Sequence, residues 1–150
     1  MSSKLDNMDL EVLEALKDNS RATVREIAKK INLPITTVHN RLRKLKKESV
    51  IKQFTIEPDY EKLGKPVLAL VFASIDHEKL VDTKSGIDSL KKKLHGFDEV
   101  EKIFAVTGDI DIILFVRVAG IKALDDFLIK KLRNIKGISR TTTQIVLEED

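Results

Sequence analysis

The residues best suited to chemistry in this chain are six cations, Arg41, Arg43, Lys44, Lys46, Lys47 and Lys52, crowded around an apolar stripe of Ile35, Val38, Leu42 and Leu45. That stripe has the spacing of one helix face. Between residues 33 and 53 only Glu48 opposes the six cations. The first sixty residues hold 12 Lys and Arg against 9 Asp and Glu, whereas the remainder holds 15 of each, so the formal charge of +3 belongs to the N-terminal part. A polyanion is expected to meet that part. A solvated surface helix is the bland alternative for any charge run. A second candidate is Thr107-Gly108-Asp109-Ile110-Asp111, where two carboxylates two residues apart on an extended segment would project to one side. It reads either as a plain hairpin turn or as a turn whose amides and carboxylates hold a small zwitterion.

Other chemistry has no foundation in the sequence. His39, His77 and His95 have no partner at metal-ligand spacing, and there is no nucleophile elbow, P-loop or dinucleotide fingerprint. No catalytic residue, metal or cofactor is expected, and an enzyme is not. No cysteine occurs, so neither a disulfide framework nor a thiolate metal site is possible. The longest apolar run, Val67 to Ile75, is too short to span a bilayer. The N-terminus lacks the apolar core of a secretory signal, and a soluble cytoplasmic protein without membrane contact is the expectation.

The elements that must position the cations come with their ends marked. Leu10, Leu13 and Leu16, with Val12 and Ala15, recur at helical spacing after Asp6, a good N-cap, and Leu5 can staple onto Leu10. This predicts a helix from about Asn7 to Asp18. Thr23 and Glu26 fit a capping box ahead of a second helix ending near Lys30 or Ile31, with Val24, Ile27, Ala28 and Ile31 inward. Asn32 suits a left-handed turn residue, and Pro34 a first helical position, so a third helix should run from about Pro34 to Lys47. Two short helices joined by such a turn make a helix-turn-helix, whose second helix can lie in a major groove. The exposed candidates for DNA contact are Thr36, Thr37, His39, Asn40, Arg41, Arg43, Lys44 and Lys47, with Thr36, Thr37 and Asn40 nearest the end that reads bases and Lys46, Lys47 and Lys52 suited to phosphates. A helix-turn-helix that docks on protein is the alternative. Val50 to Ile56 suggests a short strand after the third helix.

Beyond residue 66 the pattern changes. Val67 to Ile75 reads as a buried strand, followed by a helix with Ile87, Leu90 and Leu94 inward and Gly96 at its end. Strands at Val100 to Val106 and Asp111 to Val118 flank the Thr107-Gly108-Asp109 turn. A helix with Ile121, Leu124, Leu128, Leu132 and Ile135 inward stops at Gly137, and a last strand covers Ser139 to Leu147. The order βαββαβ is ferredoxin-like, with four antiparallel strands and two helices on one face. The open face needs cover, most simply a second copy. The class is therefore α+β: a helix-turn-helix (winged-helix-like) domain over residues 1–56, a linker over 57–66, and a ferredoxin-like ligand-binding and oligomerisation domain over 67–150.

Taken together, these residues resemble the Lrp/AsnC (leucine-responsive regulatory protein, feast/famine) family of transcription regulators. The resemblance runs through Leu5-Asp6-x-x-Asp9, Glu26-Ile27-Ala28, Thr37-Val38-x-x-Arg41-Leu42 to Leu45, Val50-Ile51-Lys52, Leu63-Gly64 and Thr107-Gly108-Asp109-x-Asp111. It implies a cytoplasmic homodimer assembling to a tetramer or octamer, bound to double-stranded DNA. It also implies an amino-acid effector held by Thr107, Gly108, Asp109 and Asp111, with Thr141 and Thr143 as neighbours. Two other functions remain open at this level: an architectural DNA-bridging protein without ligand control, and an amino-acid-binding metabolic regulator that does not bind DNA.

Overall fold

The computed structural model describes residues 5–76 and 83–149, apart from the side chains of residues 83–85 and 87. The expected inward position of Ile87 and the position of His77 lie outside the described residues. The chain divides into two compact units, residues 1–57 and 58–150.

The first unit holds three helices, α1 (Asn7–Asp18), α2 (Val24–Lys30) and α3 (Ile35–Lys47). Two of the three N-termini carry reciprocal caps. Asp6 Oδ1 accepts from Asp9 N at 3.0 Å while Asp6 N donates to Asp9 Oδ2, and Thr23 with Glu26 does the same for α2. Each pair satisfies backbone donors that a helix start leaves without partners. Asn32, at φ 52°, reverses the chain between α2 and α3, and Leu33 N donates to Ala28 O across that turn. Pro34, expected as the first helical residue, is instead the N-cap of α3, because its ψ of 141° is extended. Ser49, at φ 56°, ends α3, and Val50 N returns to Leu45 O.

The N-terminal core is built on Val12, Ala15, Leu16, Ile27, Ala28, Val38 and Leu45, with Leu5, Leu13, Val24, Ile31, Leu42, Val50 and Ile51 packed around it. Two expected members are absent. Leu10 is half exposed, which removes the proposed staple with Leu5, and Ile35 is 49% exposed. The strand expected over Val50 to Ile56 does not form: residues 52–57 are exposed and have no regular structure. Alternating apolar residues can make a strand only beside another strand, and the described residues of this unit include none.

The second unit is a four-stranded antiparallel sheet in the order β2-β3-β1-β4, formed by β1 (Val67–Ile75), β2 (Val100–Ala105), β3 (Ile112–Val118) and β4 (Ile138–Ile145). The chain order places α4 (Thr83–His95) after β1 and α5 (Ile121–Asp126) after β3. Ala69, Val71, Ala73 and Ile75 of β1 and Ile112, Leu114, Val116 and Val118 of β3 form one face of a core that also contains Leu90, Leu94, Leu124, Phe127 and Leu132. A π turn over Phe127–Lys131 and a 3₁₀ turn over Leu132–Asn134 follow α5 directly. Leu128 is half-buried and packs against the core as its spacing predicts, Phe127 joins the core in addition, and Ile121 is exposed. Gly96 follows α4 without adopting the left-handed conformation expected of it.

The other sheet face carries Leu70 and Phe72 of β1, Ile113 and Phe115 of β3 and Phe104 of β2, assigned by alternation from the paired register. Phe104 and Phe115 meet edge to face at 5.4 Å. At one end this face is covered by the chain itself. The turn over residues 59–65, closed by Lys65 N donating to Tyr60 O, sets the Tyr60 ring 4.0 Å from the Arg117 guanidinium. Arg117 is 5% exposed and donates to both Glu149 carboxylate oxygens and to Glu101 Oε1. A register irregularity between Val100 and Lys102 accompanies the placement of Glu101 within reach of Arg117.

Candidate nucleic-acid interface and effector turn

Around α3, side chains follow the helix at about 100° per residue, so Thr36, Asn40, Arg43 and Lys47 fall within one narrow outward strip opposite Val38 and Leu45. All four are exposed, as are His39 and Lys46, while Thr37 and Leu42 lie on the flanks and are half-buried. Among the described residues, no ion pair or side-chain hydrogen bond engages Asn40, Arg43 or Lys47. Asn40, Arg43, Lys44, Lys47 and Glu48 together border a shallow hollow along the helix. Lys46 instead leans over the Phe54 ring at 4.9 Å.

Arg41 and Lys44 are engaged differently from the rest of the basic cluster. Arg41 Nη1 reaches the Asp6 carboxylate and lies 3.1 Å from Asp9 Oδ1, and Lys44 Nζ lies 2.7 Å from Asp9 Oδ2. Asp9 is fully buried. Its burial opposes ionisation, but hydrogen bonds from Lys44, from the Asp6 backbone and from Arg41 together hold the carboxyl below its usual value. Asp6 is lowered chiefly by the Asp9 backbone N–H, then by Arg41. The same two acids that cap α1 therefore fasten α3 to it. The Asp6-x-x-Asp9 spacing signalled the cap; the partnership with Arg41 was not visible, because 32 positions separate Arg41 from Asp9.

At the second candidate, Thr107, Gly108 and Asp109 form an exposed bend with Gly108 at φ 116°, a left-handed conformation that glycine adopts readily. The bend is tied to the end of β1. Ser74 Oγ donates to Asp109 O at 3.0 Å, Asp111 N donates to Ala73 O at 3.1 Å, and Asp111 Oδ2 accepts from Ile75 N at 2.7 Å. The two carboxylates, expected to work as a pair on an extended segment, thus differ: Asp109 stands exposed in a bend, whereas Asp111 is half-buried and holds the β1 backbone. Thr141 and Thr143 sit on β4 opposite Ala73 and Val71, half-buried on the helix-covered side of the sheet. Since β1 lies between β3 and β4, the turn and Thr141 share one end of the sheet with a whole strand between them.

Among the described residues, no group of three or more His, Cys, Asp or Glu could hold a metal ion, and no helix is long and apolar enough to cross a membrane.

Both units match known protein families. Residues 5–52 match the model of a winged helix-turn-helix DNA-binding domain, and residues 69–149 match that of the Lrp/AsnC ligand binding domain. An HTH-type transcriptional regulator of Pyrococcus furiosus is 35% identical over 145 residues, covering 97% of this chain and 94% of the relative. AsnC of E. coli superposes with a TM-score of 0.82 at 31% identity, covering 98% and 95% of the two chains. A transcriptional regulator from Neisseria meningitidis, solved as a complex with L-Met, shares the fold with a TM-score of 0.88 at 23% identity, over 97% of this chain and 92% of that one. With a helix-turn-helix in its first unit, an α+β ligand-binding fold in its second, and relatives matched over nearly its full length, the chain belongs to the Lrp/AsnC family of transcription regulators.

Proposed function

We propose that this protein is a sequence-specific regulator that binds double-stranded DNA as a homodimer or a higher assembly of dimers, with its DNA affinity set by an amino acid at the Thr107–Asp111 turn. The observation that carries the DNA half is the unpaired outward strip of α3. Arg43 and Lys47 are free to neutralise phosphates, while Thr36 and Asn40 lie toward the end of the helix that approaches base edges. In a dimer, two such helices enter successive major grooves about one helical turn apart. The apolar sheet face of Leu70, Phe72, Phe104, Ile113 and Phe115 supports assembly, since a self-complementary patch of this kind is the ordinary basis of a two-fold dimer.

The effector half rests on the exposed Gly108 and Asp109 amides and carboxylate on a base fixed by Asp111, which together present a donor and an acceptor to a zwitterion. A fold neighbour solved with L-Met is compatible with that reading. Because β1 separates Thr141 and Thr143 from the turn, both threonines would join a pocket only in an assembly. The decisive measurement is binding of the full chain to duplex DNA across salt. With six to ten phosphate contacts, affinity is expected to fall about 10³- to 10⁵-fold between 50 and 200 mM. A salt-insensitive complex, or none at moderate salt, refutes the proposal.

A further inference from the structure

Ile35 is an apolar side chain left half exposed outside the N-terminal core. It opens α3, is 49% exposed, and takes no part in the N-terminal core although its spacing from Val38 and Leu42 matches the buried stripe. Ile35 lies about 60° around the helix from Val38 and about 80° from Leu45, which puts it at the rim of the buried stripe, on the first residue of α3. Cα–Cβ bonds of a helix tilt toward its N-terminus, so a first-turn side chain projects ahead of the helix. A single exposed isoleucine is unremarkable on most surfaces. This one stands beside Thr36 at the leading end of a helix whose outward strip bears Asn40, Arg43 and Lys47 without partners, and that charge matches a duplex.

The floor of the major groove is a field of hydrogen-bond donors and acceptors with one apolar feature, the thymine C5 methyl group. We infer that Ile35 reads a thymine methyl and is a specificity-determining residue of this regulator. The inference rests on the proposed entry of α3 into the major groove. It assigns Ile35 an apolar contact that His39 and Asn40 do not offer; the Thr36 and Thr37 methyls could also make one, so the test is read at Ile35 itself. Removing one methyl from such a contact should weaken binding about four-fold per half-site, as expected for one buried carbon.

The test uses the full chain to enrich binding sites from a random duplex library, after which each thymine of the enriched site is replaced singly by uracil, which lacks only the methyl. The expected result is one thymine per half-site whose replacement weakens the wild-type complex about four-fold. Ile35→Ala, which removes the contact from both half-sites of a dimer, should weaken the enriched duplex by about the square of that factor, roughly 16-fold, and be indifferent to that same replacement. Its binding to random duplex should stay within about two-fold of wild type. The inference is overturned if the wild type ignores every uracil, if Ile35→Ala keeps the wild-type uracil sensitivity, or if the variant changes the oligomeric state instead, which would make Ile35 a contact between copies. Failure to enrich any sequence would instead sink the DNA-reading proposal itself, and the inference with it.

Discussion

Arg41 on α3 and Asp9 on α1 meet at 3.1 Å, with the aspartate fully buried and its second oxygen held by Lys44. Two of the six cations of the basic cluster are thus committed within the protein. Arg41 and Lys44 fasten α3 to α1, and among the described residues Arg43, Lys46, Lys47 and Lys52 are left without an ion pair.

Asp9→Asn should lower the stability of the N-terminal unit by about 1–3 kcal/mol, because a neutral amide leaves Lys44 and Arg41 short of their anionic partner. Urea unfolding of the full chain, followed by a probe in residues 1–57, measures it. An unchanged midpoint would show that the pair contributes nothing net.

Acid should act through the same residues. Asp6 and Asp9 both have folded values below their unfolded ones, the latter near 3.8. Their contribution is complete above the unfolded value and is lost as pH falls through the lowered folded values. Melting temperature should accordingly hold level from neutrality to about pH 4 and fall below it, with a shallower fall in Asp9→Asn. A wild-type decline centred near pH 6 would point to histidine instead.

On DNA, Lys47→Ala and Arg43→Ala should weaken enriched and random duplexes alike and reduce the slope of log affinity against log salt by about one unit each. Asn40→Ala should relax preference at a single base pair, by about 1–3 kcal/mol, with little change on random duplex. Equal losses on both duplexes for Asn40→Ala would remove it from base reading.

For assembly, Phe72→Glu or Phe115→Glu places a charge in the middle of the open sheet face and should shift sedimentation from dimer or higher to monomer. An oligomer that persists in both variants would locate the interface elsewhere.

The two carboxylates of the turn should separate by role. Asp111→Ala loses the bond to Ile75 N and should destabilise the second unit by about 1–3 kcal/mol with no ligand present. Asp109→Ala should leave the ligand-free protein unchanged and abolish any stabilisation by an amino acid, which at a hundred times its Kd amounts to about 2.7 kcal/mol. A thermal-shift panel of the twenty amino acids on both variants reads the outcome. If a hit survives Asp109→Ala, the ligand binds away from the turn.

Much of this arrangement could be read from the chain because it is set by neighbours in sequence. The capping boxes at Asp6 and Thr23, the left-handed Asn32, the Gly108 bend and the four strands all follow from residues within a few positions of one another. The βαββαβ order then leaves few topologies, since short connections restrict strand pairing.

What the chain itself could not decide is which residue of a periodic set meets another element. Ile35 has the spacing of a core residue and stays half exposed at the rim of the α3 stripe, whereas Val38 and Leu45 at its centre are buried. Phe127, outside the stripe that the spacing picks out, joins the core along with Leu124, Leu128 and Leu132. Asp9 is buried and Arg41 committed to it only because α1 and α3 pack together, and Arg117 finds Glu101, Glu149 and Tyr60 by the same kind of long-range closure. Local capping and turn preferences set the helices and turns from the sequence alone; strand pairing, burial and charge pairing depend on contacts between distant segments, and only the tertiary structure decided those.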